Sequence, residues 1–79
     1  MLTGMIWFDN DPHKNVNEKI HAAIKYYQNK FGNQPTICSL NPKLEELLDN
    51  PVKDIEVFFN PNLSPDHIWL GVRNQVFNI

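Results

Sequence analysis

The chain has 79 residues, of which 42% are hydrophobic and 11% aromatic, and its formal net charge is −2. This length predicts one domain over residues 1–79, and the composition excludes a disordered chain and, with a single cysteine, a disulfide scaffold. The seven lysines and arginines are scattered singly, which argues against nucleic-acid binding, since that affinity depends on neutralised phosphates.

The apolar segment at residues 1–8 does not resemble a targeting or membrane-spanning segment. It lacks the basic stretch and the small-residue cleavage site of a secretion signal, and it is too short to cross a bilayer. The C-terminal residues carry no lipidation motif. We therefore expect a cytoplasmic protein that is not a membrane protein.

The first predicted element is a strand over residues 3–8. Every residue from Met5 to Phe8 is apolar, which is typical of a strand that is covered on both faces. The sequence DNDP at residues 9–12 is typical of a turn and ends this strand.

A long helix is the clearest element of the sequence. Its apolar stripe consists of residues at helical spacing: Val16, Ile20, Ala23, Ile24, Tyr27 and Phe31. Two starts are open: either Asn15 forms a capping box with Glu18, or Asp11 is the N-cap and Pro12 the first helical residue. Gly32 predicts the end of the helix.

The second half of the chain predicts a short helix and three further strands. The segments are a strand over residues 36–40, a helix over 42–49, a strand over 52–59, a loop over 60–66 and a strand over 67–72. The strand-helix-strand start is a βαβ unit, so we expect the first two strands to be parallel. The predicted fold is α/β or α+β, with a small mixed sheet of about four strands, the element order β-α-β-α-β-β, and the long helix packed on one face.

These strands carry more apolar side chains than one long helix can cover. The side chains expected to meet the helix are Ile6, Phe8, Ile55, Val57, Ile68 and Leu70. Those expected on the opposite face are Met5, Trp7, Phe58 and Trp69, which with Phe77 form the predicted interaction face. Monomers seldom expose large apolar patches. Three coverings are open: the short helix with the C-terminal residues Val76, Phe77 and Ile79, a second copy in a homodimer, or a different protein.

Asp9, Asp11 and His13 form an Asp-x-Asp-x-His pattern after the first strand. Two carboxylates and an imidazole at the carboxyl end of a strand can hold Mg²⁺ or Mn²⁺, which can activate water for phosphoester hydrolysis. Asn41 would be a neighbour of Asp9 if the first two strands were adjacent. The competing interpretation is favoured, because Asp-x-Asp is frequent in turns: both aspartates accept hydrogen bonds from turn and helix-start amides.

The rest of the sequence shows no stronger catalytic pattern. Cys38 lies in an apolar strand and is interpreted as a small core residue. The sequence therefore favours a small cytoplasmic module that acts by binding, as a homodimer or as an accessory or inhibitory partner of a larger protein, without catalysis or a cofactor. The alternative is a metal-dependent enzyme that processes phosphoryl groups or nucleotides with Asp9 and Asp11.

Overall fold

The computed structural model describes residues 2–48 and 52–73. Its elements in chain order are β1 (Leu2–Phe8), α1 (Val16–Phe31), β2 (Ile37–Leu40), a 3₁₀ helix (Pro42–Leu47), β3 (Glu56–Phe59) and β4 (His67–Arg73). One α-helix and a mixed four-stranded sheet confirm the α+β class and the mixed sheet predicted from the sequence.

α1 begins at the capping box that the sequence suggested. The Glu18 amide donates to the Asn15 side chain at 2.8 Å, and the Asn15 amide donates to the Glu18 carboxylate at 2.9 Å. The helix ends at Gly32, which has a φ of 80° and donates its amide to the Gln28 carbonyl at 2.8 Å. Glycine adopts this left-handed conformation without steric cost. Of the two predicted starts, the one at Asn15 is confirmed, and Asp11 lies outside the helix.

β4 lies inside the sheet, between β1 and β2. The strand order is β1-β4-β2-β3, with β4 antiparallel to both neighbours and β2 parallel to β3. β1 and β2 therefore point in the same direction, as expected, but they are not neighbours. β4 splits the βαβ unit, and its run of apolar residues on both faces suits an inner strand.

Two predicted elements differ from the structure. The helix predicted over residues 42–49 is a 3₁₀ helix capped by Asn41, so the predicted element order with two α-helices is not matched. The strand predicted over residues 52–59 begins only at Glu56. The chain turns before it, because Asp54 has a φ of 63° and the Ile55 amide donates to the Val52 carbonyl at 3.4 Å.

Side chains of the sheet alternate between two faces. The core face carries the strand residues that share one hydrophobic cluster with α1: Met5, Trp7, Cys38, Leu40, Val57, Phe59, Ile68, Leu70 and Val72. The helix contributes its buried residues to the same cluster: Val16, Ile20, Ala23, Ile24 and Tyr27. Because successive strand residues point in opposite directions, the intervening residues lie on the other side of the sheet, which we call the open face.

Candidate functional site

The predicted metal ligands lie in the connection between β1 and α1. The Asp11 amide donates to the Asp9 carboxylate at 3.0 Å, and the His13 amide donates to the Asp11 carboxylate at 2.9 Å. Lys14 Nζ lies 3.9 Å from Asp9 Oδ2. Carboxylates that accept from the amide two residues ahead form Asx turns, which lead the chain from the end of β1 to the Asn15 cap.

The structure does not assemble these side chains as a metal site. Within residues 2–48 and 52–73, no three histidine, cysteine, aspartate or glutamate side chains are grouped so that they could hold a metal ion. Hydrogen bonds to turn amides account for the positions of the Asp9 and Asp11 carboxylates. The hypothesis that Asp9, Asp11 and His13 bind Mg²⁺ or Mn²⁺ therefore gains no support from this geometry.

Asn41 has a structural role at the start of the 3₁₀ helix. It is not a neighbour of Asp9, because β4 separates β1 from β2. Its buried side chain accepts a hydrogen bond from the Lys43 amide at 2.8 Å and donates one to the Leu63 carbonyl at 2.7 Å. Asn41 thereby caps the 3₁₀ helix and ties it to the loop that follows β3.

A cleft of about 530 Å³ opens beside the turn after β1. It lies between the start of α1, the 3₁₀ helix and the loop that precedes β4. Its charged lining residues are Asp11, Lys14, Lys19, Glu46 and Asp66. These charges have mixed signs, so the cleft does not present a uniformly charged wall to an ion. The sequence did not reveal it because its three walls are far apart along the chain.

The open face carries large apolar side chains in a row across the sheet. In register, Ile6 of β1 lies opposite Trp69 of β4, Trp69 opposite Ser39 of β2, and Ser39 opposite Phe58 of β3. Phe8 is the next residue of β1 on the same face. The exposed fractions are 60% for Ile6, 55% for Phe8 and 41% for Phe58. This row places exposed apolar side chains at both edges of the sheet.

The indole of Trp69 lies over Gly4 on this face. A Cβ atom at Gly4 would lie 2.5 Å from Trp69 Cζ2 and 2.5 Å from the Leu70 carbonyl oxygen. Only a glycine leaves room for the ring to approach the strand backbone this closely. Trp69 is therefore half-buried and packs against the backbone of β1, next to the more exposed side chain of Ile6.

Polar groups border the open face at its two sides. At β3, the Arg73 guanidinium lies 5.7 Å from the centre of the Phe58 ring and 3.8 Å from the Glu56 carboxylate. At β1, the imidazole of His67 contacts Phe8 with the ring centres 5.1 Å apart. The charged groups thus lie on the β3 side, and the β1 side is the more apolar.

The structure divides the predicted interaction face. Phe58 and Trp69 lie on the open face. Met5 and Trp7 lie on the core face, where they pack against the hydrophobic cluster. Phe77 lies outside the described residues.

The prediction for β1 is therefore reversed. Ile6 and Phe8, which the sequence assigned to the helix side, are the exposed residues of this strand. Trp7 instead contacts Tyr26 of α1, with ring centres 5.0 Å apart. The cause is that β1 is apolar at every position from Met5 to Phe8, so its pattern does not show which side chains point towards the helix.

Cys38 is a core residue in the structure. It is fully buried in the hydrophobic cluster, and this burial raises the pKa of its thiol to about 12. A cysteine nucleophile needs a lowered thiol pKa, so this environment is the opposite of an activating one.

No protein-family model, curated protein or solved structure matches the chain. None of the helices in residues 2–48 and 52–73 combines the length and the hydropathy that crossing a membrane requires.

Proposed function

We propose that this protein is a small cytoplasmic protein-binding module that binds a second copy of the same chain through β1 and its exposed side chains. The observation that carries the proposal is the exposure of Ile6 and Phe8, 60% and 55%, on the same side of β1 and beside Trp69. Removing apolar surface from water is favourable by about 25 cal/mol per Å², which opposes the loss of free motion on association. Large exposed apolar side chains that lie together are typical of protein contact surfaces.

The chemistry of β1 supports a second copy as the partner. Its sequence, LTGMIWF, contains no charged residue, so two copies related by a twofold axis meet along this strand without like-charge repulsion. A chain of 79 residues also gains from association, because its own core is small. In this proposal the long helix covers the core face, and the partner contacts the exposed β1 side of the sheet.

The same geometry favours binding over metal-dependent phosphoryl chemistry. The carboxylates of Asp9 and Asp11 accept hydrogen bonds from the turn amides of Asp11 and His13. They are thereby explained as parts of the connection to α1. The exposed apolar side chains of β1 have no comparable explanation within the described residues.

The proposal predicts a dimer whose formation depends on Phe8. Light scattering across a dilution series should give twice the 9.2 kDa mass of the chain at the upper end of the series. Phe8→Ser should raise the dissociation constant of the dimer by at least about tenfold, because it removes a large aromatic contact.

Phe31→Ser is the matched control for this variant. Phe31 is also an exposed phenylalanine, at 38%, but it lies at the end of α1, away from the open face. This substitution should leave the dissociation constant unchanged. A wild-type protein that is monomeric at every concentration would contradict the proposal, and so would an equal effect of the two substitutions.

A further inference from the structure

β1 is an edge strand that pairs on one side only. Among the described residues its partner is β4, and β1 forms the end of the strand order. The free side of an edge strand presents a row of unpaired amide and carbonyl groups, which is a template for another strand. Which residues present these groups follows from the hydrogen bonds between β1 and β4.

The free side of β1 is formed by its even-numbered residues. The Asp9 amide donates to the Asp66 carbonyl at 2.9 Å, one step beyond the last pair of the β1–β4 register. In an antiparallel pair, bonded and non-bonded positions alternate along the strand. The odd-numbered residues of β1 therefore bond to β4, and the main-chain groups of Gly4, Ile6 and Phe8 face away from it. Ile6 and Phe8, whose side chains are exposed, thus also offer free main-chain groups.

β1 lacks the features that protect edge strands from pairing. Natural edges are commonly short, or carry charges, prolines or bulges. β1 is seven residues long, contains neither a charge nor a proline, and keeps a regular register with β4 from Leu2 to Phe8. A strand of this kind pairs readily with another strand.

The opposite edge of the sheet, β3, has this protection. It is four residues long and carries the exposed Glu56, whose carboxylate lies 3.8 Å from Arg73. Just before the strand, the positive φ of Asp54 turns the chain. The difference between the two edges points to β1 as the edge that accepts a partner strand.

We infer that two copies of the chain join through their β1 strands, antiparallel about a twofold axis, and form one continuous eight-stranded sheet. This geometry rests on the function proposed above and specifies its contact. The amide and carbonyl groups of Gly4, Ile6 and Phe8 bond to those of the second copy. Ile6 and Phe8 of both copies become neighbours across the junction on a shared open face, where aromatic and β-branched side chains stabilise strand pairs.

Amide hydrogen exchange of the wild-type protein tests this pairing directly. Exchange rates are measured for each residue by NMR across a dilution series, and light scattering gives the mass of the same samples. The amides of Gly4, Ile6 and Phe8 should exchange at least about tenfold more slowly in the dimer than in the monomer, because each gains a carbonyl acceptor.

The other edge of the sheet provides an internal control. The amides of Glu56 and Asn60 donate to carbonyls on the β2 side, at 2.9 Å and 2.7 Å. By the same alternation, the amides of Val57 and Phe59 face away from β2 on the free side of β3. Their exchange should not change when the dimer forms.

Each other outcome overturns a defined part of the inference. A dimer with unchanged exchange at Gly4, Ile6 and Phe8 overturns the edge pairing but not the proposed dimer contact through the exposed side chains of β1. Slow exchange at these amides in samples that light scattering shows to be monomeric means that the chain covers its own edge, and it overturns the second copy as the occupant. A monomer at every concentration overturns both the pairing and the proposed function.

Phe58→Ser separates edge pairing from a dimer that stacks two open faces. Phe58 lies on the open face at the far edge, and in the eight-stranded sheet the two β3 strands are about 34 Å apart, seven strand spacings. The substitution should therefore leave the dissociation constant unchanged, whereas Phe8→Ser raises it at least about tenfold. An equal rise for Phe58→Ser overturns the edge pairing in favour of stacked faces.

Discussion

The two faces of the sheet are both apolar, but the open face is exposed along β1, whereas its β2 residue Ile37 is buried. On the core face, Leu70 and Cys38 are fully buried in the cluster that includes α1. On the open face, Ile6 and Phe8 are more than half exposed. Apolar residues therefore predict where the strands of this protein lie, but not which of their side chains are buried in the core. What decides the core is the single apolar stripe of α1, and the face that it leaves uncovered is the candidate contact surface.

Matched truncations of one aliphatic residue on each face should show the largest difference. Leu70→Ala removes a fully buried side chain and should lower the free energy of unfolding by about 2–5 kcal/mol, because it leaves a cavity. Ile6→Ala removes a side chain that is 60% exposed and should lower it by less than about 0.5 kcal/mol. Both values are measured by urea unfolding at concentrations where the protein is monomeric.

The ratio of these two losses in the free energy of unfolding tests whether the core face and the open face differ in burial. Both variants shorten an aliphatic side chain, and the two positions belong to neighbouring strands, so the difference between them is burial. If Ile6→Ala destabilised the monomer as much as Leu70→Ala, the open face would be a second core covered by the chain itself. The proposed contact surface would then be wrong.

Gly4→Ala should produce the next largest effect, because it tests whether Trp69 is seated on the sheet. The added methyl group would lie 2.5 Å from both the indole and the Leu70 carbonyl oxygen. We expect a loss of about 1–3 kcal/mol in the free energy of unfolding, since the backbone must shift.

A double variant shows which contact causes the loss at Gly4. Adding Trp69→Ala to Gly4→Ala removes the ring but keeps the Leu70 carbonyl, so part of the cost of the added methyl group should be recovered and part should persist. A Gly4→Ala variant as stable as the wild type would mean that Trp69 is not held against β1. The position of the Trp69 ring on the open face would then not be fixed by its packing on Gly4.

The burial of Cys38 makes the free energy of unfolding depend on pH. Burial raises its thiol pKa from 9.0 to about 12. Between these values the unfolded chain loses the thiol proton and the native chain keeps it, so the free energy of unfolding falls as the pH rises, by at most about 1.4 kcal/mol per pH unit. Below the lower value both states hold the proton, and the contribution to stability does not change with pH.

Urea unfolding at about pH 7 and about pH 10, for the wild type and for Cys38→Ala, measures this term. The variant should show the smaller fall in stability between the two pH values. Tyr27, whose pKa burial also raises, contributes a fall in the same direction in both proteins. Equal falls in the two proteins would mean that the Cys38 thiol is accessible to water in the native state.

Local signals in the sequence predicted the elements better than their arrangement. The Asn15 capping box, the apolar stripe of α1 and the Gly32 end are set by residues within a few positions of each other. All three are found in the structure, except that Phe31 at the end of the stripe is exposed. The insertion of β4 between β1 and β2 depends on contacts between distant segments. No residue near β1 or β2 signals it, so the sequence suggested adjacent strands.

The candidate site shows the same limit at the level of single side chains. In β3 the acidic Glu56 shows which face is polar, so Val57 was assigned to the core face and Phe58 to the opposite face. The structure agrees with both assignments. Where every residue is apolar, as from Met5 to Phe8, the alternation is present but its phase cannot be read from the sequence. The alternation was therefore assigned to the wrong faces there, although it decides which side chains belong to the proposed contact surface.

The smallest predicted effect concerns the start of the helix that contributes to the core face. Asn15→Ala removes the side chain that accepts the Glu18 amide and should lower the free energy of unfolding by about 1 kcal/mol. Asp11→Ala removes an exposed turn bond to the His13 amide and should cost less than about 0.5 kcal/mol. Thermal and urea unfolding of both variants measure the difference. If Asp11→Ala lowered the free energy of unfolding as much as Asn15→Ala, the aspartates after β1 would do more than connect this strand to α1.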